Sequence, residues 1–170
     1  MAYEGDVLNQ CGVVHFDFSR ALVVVVSGST PCGHMLLYVE NDGGFYLHAA
    51  TGDQHFGTLG FPRYMNESGY QRYLSENSKK EILRKSVSIP DPAAAYLYVE
   101  NLLSRRRQWA VLPNNCVNFV EEIIAAGGGT WASASNCPVI ATQPPLQHQI
   151  QEFFQRMPVE ILKAYGAPGL

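Results

Sequence analysis

The chain has 170 residues, 46% of them hydrophobic and 16% charged, with a formal net charge of −3 at pH 7. That length suits one globular domain with its own core rather than two. A mildly acidic chain offers no global positive field to hold a phosphate backbone, which disfavours a nucleic-acid partner.

The start, MAYEGDVLNQ, has no basic segment followed by an apolar one, so no secretory signal is expected. Synthesis in a cytoplasm follows, and any export needs a route without a cleaved signal. The first half then reads as β-rich. Residues 12–18 and 21–27 are predicted strands, and SGSTPCG a loop. The longest apolar run, Ala21–Val26, is far too short to cross a bilayer, so stable membrane insertion is not expected. HMLLYVE and GFYLHA flank NDG, a strong hairpin signal. Residues 51–70 show no period and predict a long loop with short elements, the kind that often borders a binding site. Residues 71–85 are polar and predicted to be partly helical.

The second half reads as helical. In PDPAAAYLYVENLLSRR, Asp91 suits an N-cap and Pro92 the first helical position. Asn114 or Asn115 caps the next helix. Its residues Cys116, Phe119, Val120, Ile123 and Ile124 form one apolar stripe, and the glycines at 127–129 stop it. ATQPPLQ reads as a turn, and residues 146–165 as a last helix interrupted by Pro158. The expectation is one domain over residues 1–170 with a helical extension from about residue 140.

Two features concentrate chemistry. If NDG is a three-residue loop with Gly43 left-handed, Tyr38 faces Tyr46 and Leu36 faces His48. Side chains alternate along a strand, so His34 and His48 share one face as diagonal neighbours, about 7–8 Å apart by backbone. A loop of even length would place them on opposite faces. The second feature is Cys116 in the first turn of its helix. A free cysteine is commonly buried and inert. At a helix start, however, unpaired N–H groups and the positive end of the dipole favour a thiolate and are able to hold an oxyanion. A thiolate nucleophile needs an imidazole partner, and the hairpin supplies one.

The other candidates are weaker. Cys32 lies two residues before His34 and points away from that ring. Cys137 has no helix behind it, and Cys11 reads as core. No CxxC pair occurs, so neither zinc nor any other metal or cofactor is expected. A core of this size has no need of disulfides. Arg105, Arg106 and Arg107 complement a helix end or are solvated, with an anionic partner as the minority reading. His15, His55 and His148 have no companion pattern.

GHMLLYVENDGGFYLHA resembles the histidine motif of NlpC-type cell-wall peptidases, and NNCVNFVEEI resembles the Asn-Cys…Phe-Val motif of the lecithin:retinol acyltransferase group. In that group the histidine strands precede the cysteine helix, as here. The resemblance covers roughly residues 5–50 and 95–127. It implies an α+β, circularly permuted papain-like fold in which a small antiparallel sheet packs on the cysteine helix. It also implies Cys116 as nucleophile, His34 as general base and His48 as the group that orients the base. Leu36 departs from the peptidases, which usually have a small residue there.

The expected activity is a cysteine-dependent amide hydrolase acting on bacterial peptidoglycan peptides. Without a signal, delivery would need a specialised machine such as a type VI secretion system. The chain would then be an antibacterial effector with an immunity protein or a secretion component as partner. The alternatives are a lipid acyltransferase or thioesterase of the same fold, and an inert binding domain with Cys116 as core.

Overall fold

The computed structural model describes residues 2–8, 14–27, 33–40, 43–49, 58–103, 107–109 and 115–131. Cys11, Cys32, His55, Arg105, Arg106, Cys137, His148 and the extension from residue 140 lie outside the described residues. In chain order the elements are β1 (Asp6–Val7), β2 (Ala21–Val26), β3 (His34–Val39), β4 (Phe45–His48), β5 (Thr58–Gly60), β6 (Arg63–Asn66), α1 (Glu67–Glu76), β7 (Glu81–Val87), α2 (Pro92–Leu103), β8 (Arg107–Trp109) and α3 (Cys116–Ala126).

The valine-rich run builds the centre. β2 is buried on both faces, as its uninterrupted apolar composition requires. It pairs with β3 on one side and β7 on the other in a six-stranded sheet of order β1-β6-β4-β3-β2-β7, and every pairing is antiparallel. β5 and β8 form a separate two-stranded pair. The described part of the chain is thus α+β, with an antiparallel sheet and three helices.

Strand alternation divides the core into two layers. Val23, Val25, Met35, Leu37, Val39 and Leu47 face α2 and α3 and pack with Val99, Phe119, Val120, Ile123 and Ile124. Val24, Val26, Leu36, Tyr46 and Met65 face the other way and pack with Tyr70 and Tyr73 of α1.

The structure overturns one predicted strand and gives two other stretches definite elements. Residues 14–18 form no strand. Phe16 and Phe18 are nonetheless buried, and Phe16 meets the rings of Phe18, Phe45 and Tyr64, so its hydrophobicity serves packing rather than a ladder. The described end of the expected long loop holds β5, β6 and the first residues of α1, whose N-cap Asn66 accepts a bond from the Gly69 N–H. The polar stretch 71–85 is the rest of α1 followed by strand β7.

Candidate functional site

The β3–β4 hairpin has Tyr38 opposite Tyr46 and Val39 opposite Phe45, the register expected of the three-residue loop. Gly43 and Gly44 take φ of +102° and +78°, and a side chain on Gly44 would collide with the Tyr38 ring. This register brings His34 and His48 together. His34 Nε2 lies 2.9 Å from His48 Nδ1, with the rings edge to face.

The other end of this pair fixes its protons. His48 Nε2 lies 2.9 Å from the Glu4 carbonyl oxygen, which can only accept, so Nε2 carries the hydrogen. In a neutral imidazole His48 Nδ1 is then the acceptor, and His34 Nε2–H donates to it. His34 is left with its lone pair on Nδ1. The Glu4–His48–His34 chain therefore defines one basic nitrogen and its direction.

Burial keeps both rings neutral. Desolvation, then the neighbouring His48 and Lys79, holds His34 well below the ordinary imidazole range. Desolvation pushes His48 down to about 4, although its bond to Glu4 opposes this.

Cys116 opens α3, where Asn115 accepts from the Asn118 N–H while the Asn118 side chain reaches back to the Asn115 N–H. The cap thereby uses the Asn118 donor, and the Phe119 N–H bonds to the Asn115 carbonyl. The N–H groups of Cys116 and Val117 remain directed at the sulfur. A third donor comes from the sheet, the Met35 N–H, next in the chain to His34.

α3 packs on one face of the sheet, whereas His34, in register with Val26, belongs to the other. Cys116 thus meets β3 near its first residues, where the strand begins. Cys116 is half-buried, and among the described residues it is the free cysteine.

The helix start was expected to favour the thiolate. Burial instead raises the Cys116 thiol, outweighing the three N–H groups and Lys79. Burial thus disfavours the charged forms of the thiol and of both imidazoles.

Tyr73 and Lys79 were not anticipated. The Tyr73 ring lies 5.6 Å from the His48 ring, and the Lys79 ammonium sits 5.6 Å over the Tyr73 ring. Tyr73 lies on α1, in the stretch predicted to be partly helical, but its polar sequence gave no sign that this tyrosine would face the histidine pair. The His15 ring meets that of Tyr96 at a tilt, with 4.9 Å between centroids. Among the described residues no group of histidine, cysteine and carboxylate side chains is arranged to hold a metal ion. No helix there is long and apolar enough to cross a membrane.

Comparison with protein-family models, curated proteins and solved structures returns no match.

Proposed function

We propose that the protein is a cysteine-dependent amide hydrolase with Cys116 as nucleophile, His34 as general base and His48 as the residue that orients it. The observation that supports this reading is the Glu4–His48–His34 hydrogen-bond chain, which leaves a lone pair on Nδ1 of His34, next in the chain to Met35, whose N–H bonds the Cys116 sulfur. The fold would then be a permuted papain-like one.

In the mechanism that follows, substrate binding expels water and His34 Nδ1 takes the thiol proton as sulfur attacks the carbonyl carbon. The C–S bond forms and the carbonyl π pair moves onto oxygen. The intermediate collapses, the C–N bond breaks, and the imidazolium returns its proton to the leaving amine. Water then cleaves the thioester, with His34 again accepting a proton. Since burial disfavours the charged forms of both thiol and imidazole, proton transfer would accompany attack rather than precede it.

The substrate class we favour is the peptide part of bacterial cell wall, on the strength of the histidine motif's resemblance. Such a substrate is reached only outside the cytoplasmic membrane. Expression confined to a bacterial cytoplasm should be harmless, and attaching a periplasmic signal should cause lysis or rounding that Cys116→Ala removes. Equal toxicity in both compartments would count against cell wall. Purified peptidoglycan and phospholipid vesicles, each incubated with the protein and analysed for products, separate hydrolase from acyltransferase. Inertness toward both, with Cys116→Ala indistinguishable from wild type, would leave a binding domain.

A further inference from the structure

The Tyr73 hydroxyl is buried, and among the described residues it has no hydrogen-bond partner. Leaving a hydroxyl buried without a partner costs on the order of 1–3 kcal/mol, so phenylalanine would be the more stable residue here. Its neighbour in structure, Tyr70, shows the ordinary solution, donating to Glu81 at 2.8 Å. Tyr46 likewise donates to Glu67 at 2.6 Å. Tyr73 differs in its surroundings. It packs against the orienting histidine His48, beneath the Lys79 ammonium, and within electrostatic reach of the Cys116 sulfur.

Two structural features hold it there. The Tyr73 carbonyl accepts from the Asn77 N–H and from the Asn77 side chain at 3.0 Å, closing the end of α1. The turn that follows is tied to β2 by mutual bonds between Ser27 and Lys80, which fixes Lys79 over the ring. Burial, reinforced by the Glu4 carboxylate, keeps the phenol protonated above its ordinary range. It is thus a permanent neutral donor with its hydrogen uncommitted.

We infer that Tyr73 is a catalytic residue of the Cys116 site, donating its hydroxyl hydrogen to the oxygen of the substrate carbonyl as that oxygen becomes an oxyanion. The role rests on the cysteine-hydrolase reading. Tyr73 would supplement the Cys116 backbone N–H, completing a pair of donors around the developing charge.

The test needs no knowledge of the natural substrate. Acylation of Cys116 by p-nitrophenyl acetate passes through an oxyanion. Sulfur adds to the carbonyl carbon, the π pair goes to oxygen, and its return expels p-nitrophenolate while the thiol proton stays on His34. Alkylation by iodoacetamide displaces iodide from a saturated carbon and forms no oxyanion. Tyr73→Phe should slow acylation by roughly 100-fold, the usual effect of losing one such donor, and leave alkylation at the wild-type rate.

Its melting temperature should equal or exceed that of wild type, because no hydrogen bond is lost. Equal slowing of both reactions, or no slowing of either, overturns the role. So does a clear fall in melting temperature, since it would mean the hydroxyl has a structural partner. If wild-type Cys116 is not acylated at all, the hydrolase reading itself fails, an outcome distinct from a Tyr73→Phe variant that behaves as wild type.

Discussion

Cys116 and His34 hold their protons according to burial, and that has kinetic consequences. The thiol is raised from its ordinary value of 9.0, so its thiolate fraction at neutral pH is lower than that of a free cysteine. The rate at which iodoacetamide labels Cys116, read by peptide mass spectrometry, should climb through pH 9 without levelling. A plateau reached below pH 8 would mean that sulfur and His34 form an ion pair at rest. In turnover of p-nitrophenyl acetate, Cys116→Ala should abolish activity and His34→Ala should lose about 10²- to 10⁴-fold, the worth of a positioned base. His48→Ala should lose less, because it removes an orienting acceptor rather than the base. The pairing of His34 with His48 was legible because strand alternation and loop length alone determine it. The ionisation of Cys116 was not, since desolvation depends on what the rest of the chain packs around the sulfur. Nor was Tyr73, whose significance lies in a missing partner that only three dimensions reveal.

Among the elements, α3 was the most legible. Asn115, the apolar stripe and the terminal glycines are local signals, and the Gly128 and Gly129 N–H groups close the helix on Ala125 and Ile124. Asn115→Ala should cost about 1 kcal/mol of stability, measured by urea denaturation, and should slow acylation of Cys116 by loosening the turn that aims it. β7 was illegible for the opposite reason. Its residues are exposed or half-buried throughout, so no hydrophobic period marks it, and its strand form comes from pairing with β2. Arg84 then ties this edge to the centre. It donates to Glu81 and, at 2.7 Å, to the Tyr46 hydroxyl, and its guanidinium lies within 6.0 Å of the Tyr38, Tyr46 and Tyr70 rings. Arg84→Ala should destabilise by about 1–3 kcal/mol, and Arg84→Lys should recover little of it, because an ammonium lacks the planar guanidinium that bonds Glu81 and Tyr46 while lying against the rings. Full recovery by lysine would mean that charge alone matters at this edge.

At the scale of the whole molecule, the buried histidine pair makes stability depend on pH. An imidazole whose folded pKa lies below its unfolded value binds fewer protons when folded, so acid favours unfolding. Each such histidine has its full stability above pH 6.5 and loses it as pH falls toward the folded value. For His48, between 6.5 and about 4, the loss amounts to roughly 3 kcal/mol, and His34 adds to it in the same direction. The lowered carboxylates Glu76, Glu81 and Asp17 act only below their ordinary values of 4.5 and 3.8. Glu121, raised by burial, works weakly in the opposite sense. Between pH 6.5 and 4.5 the histidines therefore dominate. Urea midpoints taken at pH 7.5, 6.5, 5.5 and 4.5 should be level over the first interval and fall steadily over the next two, and His48→Gln should flatten the fall. The same shift keeps His34 unprotonated, and so available as a base, well below pH 6.5. Acylation of Cys116 should then fail on the acid side only where the fold itself begins to fail. A wild-type profile that stays flat down to pH 4.5 would show that both rings accept protons within the folded protein, and the neutral Glu4–His48–His34 chain would have to be abandoned.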